Sequence, residues 1–192
     1  WLLLNAAPDL RQQIIVTPEL HPCEAPRSSP IKSVIVTGAD VDALTGLLSM
    51  RERQPFSLWA TGYVHRVIVA NPIFGVLDRD LVRFQSIDEE RAFEPLPSLE
   101  CRAFPAPGKP PLYLEKIEGI GPAAGASIGL RIASAGTSLV FLPSCAEITP
   151  EIKAAASGAD ALFFDGTMYT DDEMIRSGEG TKTARRMGHV AM

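Results

Sequence analysis

The sequence lacks the features that mark several large classes of protein. Its 192 residues hold three cysteines (Cys23, Cys101 and Cys145) and no C-x-x-C pair, so neither a disulfide framework nor a zinc knuckle is indicated. No apolar run reaches the roughly 18 residues that span a bilayer, and no signal-peptide pattern is visible. The net charge is −5 and no basic stripe suggests nucleic-acid binding. We therefore expect a cytoplasmic protein with no nucleic-acid or membrane partner.

Apolar residues are nevertheless abundant, at 46% of the chain, which is enough to form a sizeable core. Strand-like and helix-like segments alternate, but several strands follow one another in the middle of the chain. This order predicts an α/β fold with a mixed sheet, or with two packed sheets and helices outside them. We interpret the apolar start at Trp1 and the stop at Met192 as cuts through a larger fold.

Several local patterns give specific expectations. Residues 33–37 read as a buried strand, and a helix capped by Asp42 is predicted to run to Arg53. Residues 64–71 are compatible with either a helix or a strand. Residues 112–118 are predicted as a strand, and residues 161–164 as a buried strand that ends on Asp165.

Two carboxylates, Asp40 and Asp42, follow the first of these strands. In an extended loop, side chains two residues apart point the same way, and paired hard oxygen donors suit a divalent metal. The alternative is that Asp42 caps the helix and Asp40 is a solvated loop residue. Taken alone, the motif favours this second interpretation.

Three further residues are candidates for chemistry. Asp165 follows a strand, where ligand groups gather in α/β sheets, although Asp-Gly also marks turns. His189 could bind a metal or act as an acid or base, and the alternative is an ordinary histidine. Cys145 also follows a strand, but the pattern favours a buried free cysteine over a ligand or nucleophile.

Residues 37–48 resemble the T-H-x-H-x-D-H-x-x-G-L motif of the metallo-β-lactamase fold. Asp40 and Asp42 occupy the positions of the second His and the Asp. Gly38 and Ala43 stand where the first and third His would be, and Ala43 cannot bind a metal. Asp165 resembles the later metal-bridging Asp of that fold.

The whole chain resembles the family of B proteins of pyrroloquinoline quinone (PQQ) biosynthesis. That family usually has Asn and His where this chain has Gly38 and Ala43. The matching segments are residues 1–14, 51–56, 107–113, 164–167, 171–176, 180–183 and 186–189. The resemblance implies a single metallo-β-lactamase-like domain over residues 1–192, an αββα sandwich that is incomplete at both ends.

The resemblance also implies an activity. It predicts one Fe(II), with zinc as an alternative, and hydroxylation of the tyrosine of a small Glu-Tyr-derived precursor with O₂. The implied metal ligands are Asp40, Asp42, Asp165 and His189, with His189 and Asp42 catalytic. A structural zinc is expected only in an N-terminal segment of the family, and a homodimer is compatible with the family.

A second class of function stays open beside the enzyme. Ala43 favours a carrier or transport protein for PQQ or its precursor, with a degenerate metal site. The presence of all four candidate ligands, Asp40, Asp42, Asp165 and His189, favours the oxygenase. Metallo-hydrolase activity is a weaker alternative, because it needs a His-rich binuclear zinc site that this motif lacks.

Overall fold

The computed structural model describes residues 1–23, 28–114 and 124–192. The chain divides into two compact units. Unit 1 comprises Trp1–Ile87 with Glu94–Pro97, and unit 2 comprises Asp88–Phe93 with Ser98–Met192. In the described ranges, no helix is both long and apolar enough to cross a membrane.

Unit 1 contains a sheet of four strands that all run parallel, in the order β1-β2-β3-β4. The strands are β1 (Leu2–Leu4), β2 (Ser33–Ile35), β3 (Phe56–Thr61) and β4 (Val82–Ile87). Val34, Ile35 and Leu58 are fully buried, which is typical of parallel strands covered on both faces. Because β2 and β3 are parallel neighbours, the segments that follow them begin at the same edge of the sheet.

The helices of unit 1 correct one expectation and settle one alternative that the sequence left open. They are α1 (Leu10–Val16), α2 (Val41–Leu44) and α3 (Gly62–Ala70), with 3₁₀ turns at Pro18–Leu20, Thr45–Met50 and Pro72–Val76. The single helix predicted from Asp42 is thus a short α-helix followed by a 3₁₀ segment, and its N-cap is Asp40. Residues 64–71, which periodicity left open, are helical except Asn71, and the Thr61 side chain accepts the Val64 N–H at 3.3 Å.

A second sheet has the strand order β5-β6-β7-β8-β9. Its strands are β5 (Ala92–Leu96), β6 (Leu99–Pro105), β7 (Ile128–Ser134), β8 (Thr137–Leu142) and β9 (Ala161–Phe164). Strands β6, β7 and β8 are antiparallel, and β9 runs parallel to β8. Unit 2 also contains the helices α4 (Pro150–Ala156), α5 (Glu173–Arg176) and α6 (Ala184–Met187). The predicted α/β class, with a parallel and a mixed sheet, is confirmed.

Two predictions about unit 2 were wrong. Strand β9 is not buried, since Leu162 is 52% and Phe163 is 59% exposed. It is the last strand of its sheet, and only Phe164 packs against the core cluster around Leu142 and Ile152. Leu112–Leu114 is a 3₁₀ turn rather than the start of a strand, and residues 115–118 lie outside the described ranges.

Candidate metal-binding residues and their surroundings

The structure brings two of the predicted ligands into direct contact. His189 Nδ1 lies 2.7 Å from Asp165 Oδ2, with the Asp165 side chain fully buried and the His189 side chain 25% exposed. An ionised carboxylate can only accept, so Nδ1 carries the shared hydrogen. In the neutral imidazole, the lone pair is then on Nε2, the nitrogen that a metal would bind.

Asp165 is held by four hydrogen bonds. Oδ1 accepts from the Thr167 N–H at 3.1 Å and from the Thr167 hydroxyl at 2.7 Å. Oδ2 accepts from the Cys145 N–H at 3.3 Å as well as from His189. A carboxylate offers about four lone-pair sites, so all of them are in use. Asp165 as a direct metal ligand would have to give up one of these bonds, whereas its role in orienting His189 is already in place.

The backbone of His189 is fixed by the end of helix α6. Gly188 has φ +91°, and its N–H donates to Arg185 O at 3.1 Å. The His189 N–H donates to Ala184 O at 3.0 Å. These two bonds form a Schellman motif, in which the left-handed position favours glycine. The Gly-His pair therefore fixes the position of the imidazole through the backbone, and the hydrogen bond to Asp165 fixes the orientation of the ring.

His189 lines an open groove of about 410 Å³ within unit 2. Arg185 and Glu147 face each other in it, with Arg185 Nη2 2.7 Å from Glu147 Oε2. Both side chains are more than half exposed, so this ion pair adds little stability. The groove lining comprises Ala146, Glu147, Ile148, Asp171, Arg185, His189, Val190 and Ala191. His189 is thus accessible to a small ligand from this side.

The other predicted ligands, Asp40 and Asp42, lie in unit 1 after strand β2. Asp40 is the N-cap of α2 with an extended backbone, at φ −65° and ψ 155°, and is half-buried. Asp42 lies in the first helical turn and is exposed. The premise that both side chains share one direction in an extended loop is therefore wrong, because the residue between them is already helical. The Asp42 charge instead lies in the first turn of α2, where the helix dipole favours an anion.

Sequence reasoning missed the residues that hold this carboxylate segment. Asn5 Oδ1 accepts from the Thr37 N–H at 2.8 Å and from the Thr37 hydroxyl at 3.1 Å. Ala6 N–H donates to Ala43 O at 2.8 Å, and Gly46 N–H donates to Ala6 O at 2.8 Å. A Cβ on Gly46 would lie 2.3 Å from Ala7 O, so the close approach requires glycine. The only sequence signal was an Asn directly after a strand, which is a common residue for a left-handed turn.

Cys145 is buried, as the sequence analysis favoured, and its Sγ lies 3.0 Å from Glu147 O. Burial is the main cause that raises the pKa of the Cys145 thiol; the Glu147 backbone opposes it, and the charges of Asp165 and Glu147 add to it. A thiol with a raised pKa stays protonated near neutral pH and is a poor nucleophile. Its backbone N–H, rather than its sulfur, contacts the Asp165 carboxylate.

The donor chemistry fits a divalent cation. Carboxylate oxygens and an imidazole Nε2 suit iron, zinc and similar ions. Within either unit, the described residues bring together no group of three or more His, Cys, Asp or Glu side chains that could hold a metal. Of the four predicted ligands, Asp40 and Asp42 belong to unit 1, and Asp165 and His189 belong to unit 2.

A family model described as a beta-lactamase superfamily domain matches residues 1–192. The chain belongs to the beta-lactamase superfamily. This finding confirms the metallo-β-lactamase-like fold class predicted from residues 37–48, although Ala43 departs from the motif.

The resemblance to the B proteins of PQQ biosynthesis is confirmed as well. The chain is 48% identical over 193 residues to Coenzyme PQQ synthesis protein B of Methylorubrum extorquens strain AM1, covering 100% of this chain and 64% of that protein. It is 46% identical to the protein of the same name from Rhizobium meliloti, covering 99% of this chain and 63% of the relative. The chain thus spans a little under two thirds of the curated relatives that it matches.

Solved structures agree with the sequence comparison. The crystal structure of Zn(2+)-bound PqqB from Methylobacterium extorquens matches with a TM-score of 0.94 and 48% identity, over 100% of this chain and 64% of that one. The metallo-beta-lactamase fold protein YhfI from Bacillus subtilis matches with a TM-score of 0.67 and 8% identity, over 99% of this chain and 65% of that one. The second likeness supports the fold alone.

Proposed function

We propose that this chain is part of an iron-dependent oxygenase of PQQ biosynthesis, which hydroxylates the tyrosine of a small Glu-Tyr-derived precursor. Identity of 48% to a Coenzyme PQQ synthesis protein B supports the pathway. The observation that carries the metal chemistry is the contact of 2.7 Å between Asp165 and His189, which leaves Nε2 as the donor atom. Zinc, which the similar structure of PqqB contains, is the alternative metal.

Each of the four residues that the resemblance implies as ligands has a defined role in this proposal. His189 binds the cation through Nε2, and Asp165 accepts the Nδ1 hydrogen so that this nitrogen stays available. Asp40 and Asp42 supply carboxylate oxygens, which favour iron over softer ions. When bound, iron supplies the activation of O₂. His189 and Asp42 are the residues whose loss should affect turnover most.

The proposed reaction is a monooxygenation. One oxygen atom of O₂ enters an aromatic C–H bond of the precursor, and the second leaves as water. This stoichiometry consumes two electrons and two protons from an external reductant. The open groove beside His189, of about 410 Å³, is large enough for a small ligand and is the proposed approach for the precursor.

A carrier or transport protein for PQQ or its precursor is the second candidate. Ala43 is the feature that favours it, because the family position holds a His and alanine has no donor atom. Ala43 is buried, at 5% exposure. On this alternative, the full-length protein binds PQQ or its precursor but neither retains iron nor consumes O₂.

The deciding experiment is an O₂-dependent assay on the full-length protein with Fe(II), a reductant and a Glu-Tyr-derived peptide. Mass spectrometry should show a product that carries one added oxygen atom, labelled when ¹⁸O₂ is used. Omitting iron or O₂ should remove the product. Tight binding of PQQ or precursor without any labelled product would support the carrier instead.

A further inference from the structure

Arg185 places a positive charge in the groove that His189 lines. Among the described residues of that lining, it is the only arginine or lysine. Its guanidinium contacts Glu147, with Nη2 2.7 Å from Oε2, and its side chain is 69% exposed. An arginine presents five N–H donors and this contact uses one of them. Most of the guanidinium therefore remains available to a ligand in the groove.

The backbone of Arg185 is fixed by hydrogen bonds on both sides. Its N–H donates to Asp171 Oδ1 at 2.9 Å, and the Ala184 N–H donates to Asp171 O at 2.8 Å. Its carbonyl oxygen accepts the Gly188 N–H at 3.1 Å, which is one of the two bonds that place His189. Arg185 and His189 thus belong to one hydrogen-bonded turn and line one groove, so a single small molecule can contact both.

Glu147 shows that this guanidinium accepts a carboxylate at hydrogen-bond distance. The Glu147 side chain is 59% exposed, and an ion pair between two exposed side chains contributes little to stability. Another carboxylate can therefore replace Glu147 at small cost to the fold. The backbone of Glu147 is held separately, because its carbonyl oxygen accepts from the Cys145 thiol at 3.0 Å.

We propose that Arg185 binds a carboxylate of the precursor in this groove, in exchange for the carboxylate of Glu147. The inference rests on the proposed function and adds to it the group of the substrate that the groove recognises. A precursor derived from Glu-Tyr carries carboxylates in addition to its tyrosine ring, and a planar guanidinium matches a carboxylate with two parallel hydrogen bonds. Arg185 orients the substrate and takes no part in the oxygen chemistry.

Anaerobic isothermal titration calorimetry on the full-length protein measures this binding without turnover. The probe is the dipeptide Glu-Tyr, and we expect Arg185→Gln to weaken its binding by about 10-fold, which is the contribution of one charge-assisted hydrogen bond. Arg176→Gln is the matched control and should bind like the wild type. Arg176 is an exposed arginine of unit 2 whose contact with Asp172, at 4.0 Å, lies outside this groove.

Two neutral analogues identify the carboxylate that is bound. One has glutamine in place of the glutamate, and the other has an amide in place of the C-terminal carboxylate. One of them should bind the wild type about 10-fold more weakly than Glu-Tyr does, and Arg185→Gln should weaken that analogue no further. Equal binding of all three peptides by the wild type would overturn the inference and leave the oxygenase proposal intact.

Glu147→Gln separates ligand binding from support of the groove. Because Glu147 competes with the ligand for the guanidinium, its neutralisation should tighten Glu-Tyr binding by about 2–5-fold, the value of an exposed ion pair. If the ion pair instead maintains the shape of the groove, Glu147→Gln and Arg185→Gln should both weaken binding. That result would overturn the inference.

PQQ, which also carries carboxylates, is titrated in parallel to distinguish the two sources of this group. Weaker binding of PQQ alone in Arg185→Gln would assign the arginine to the carrier function and overturn the inference. Peptide binding that depends on Arg185, together with no labelled product in the O₂ assay, would refute the oxygenase and support the carboxylate site.

Discussion

His189 Nδ1 lies 2.7 Å from Asp165 Oδ2, and this contact joins two residues 24 positions apart. The carboxylate is buried and anchored by Thr167, so it acts as a fixed support for a partly exposed imidazole. The arrangement keeps the hydrogen on Nδ1 and the donor lone pair on Nε2. Histidine ligands of metals are commonly oriented in this way by a carboxylate.

Asp165→Asn should weaken metal binding without changing the shape of the side chain. An amide can donate to Nδ1, which would leave the hydrogen on Nε2 and block the donor lone pair. We expect Fe(II) affinity to fall by about 10–100-fold. Asp160→Asn is the control, because Asp160 is a carboxylate of unit 2 whose Oδ2 accepts the Ser138 N–H at 2.7 Å, near the start of β8. Equal affinity in wild type and Asp165→Asn would contradict the orienting role.

Gly188→Ala should disturb His189 through the backbone. Gly188 has φ +91°, and an added Cβ would lie 3.2 Å from Lys109 Cγ. The left-handed conformation alone should lower the free energy of unfolding by about 1–2 kcal/mol. Gly178→Ala has the same backbone penalty, at φ +75°, but no atom within 4 Å of the new Cβ. Urea unfolding should show similar losses for the two variants, whereas Fe(II) affinity should fall only in Gly188→Ala.

Asn5→Ala should loosen the segment that carries Asp40 and Asp42. It leaves the buried Thr37 N–H without its acceptor, which should lower the free energy of unfolding by about 1–3 kcal/mol. Asn71→Ala is the control, since Asn71 also bonds a backbone group, Val67 O at 2.7 Å, at the far end of α3. A fall in Fe(II) affinity for Asn71→Ala as large as for Asn5→Ala would argue against a specific role of Asn5.

The three cysteines should differ in reactivity. Cys23 is exposed, whereas Cys101 and Cys145 are buried. Burial, followed by the charge of Glu100, raises the pKa of Cys101 to about 12, and burial also raises the pKa of Cys145. At pH 8 we expect a thiol reagent to label Cys23 quickly and the other two only after denaturation, as peptide mass spectrometry would show. Rapid labelling of Cys145 in the native protein would restore it as a candidate nucleophile.

Ala43→His tests whether residue 43 occupies the position of the third metal-binding His of the metallo-β-lactamase motif. If residue 43 faces the metal, the added imidazole should tighten Fe(II) binding at least about 10-fold and raise turnover. Because Ala43 is 5% exposed, the larger side chain should also lower stability by about 1–3 kcal/mol. Lower stability with unchanged Fe(II) affinity would mean that residue 43 does not reach the metal.

The sequence predicted the strand ends well but not what surrounds them. Asp165 and the Asp40 segment follow strands as expected, because short apolar runs of β-branched or aromatic residues bounded by Gly or Asp are strong signals. Burial of β9 was predicted from its apolar residues alone, and periodicity cannot tell an edge strand from a central one. The extent of α2 was misjudged because the helical pattern continues through Thr45–Met50, where the backbone is 3₁₀.

The contacts that hold the candidate ligands in place could not be predicted from the sequence. Asn5 reaches Thr37 across 32 residues of the chain. Contacts of this kind depend on strand order, which local patterns do not specify. Gly188 precedes His189 in the sequence, but its left-handed φ is visible only in the structure.

An anaerobic Fe(II) titration of the full-length protein, with Asp42→Ala and His189→Ala in parallel, tests the central claim most directly. The wild type should bind Fe(II) at this site with one equivalent, and each substitution should abolish that binding. Arg176→Ala, which removes only an exposed ion pair with Asp172 at 4.0 Å, should bind like the wild type. Stoichiometric Fe(II) retained in both Asp42→Ala and His189→Ala would remove these residues from the metal site and contradict the proposal.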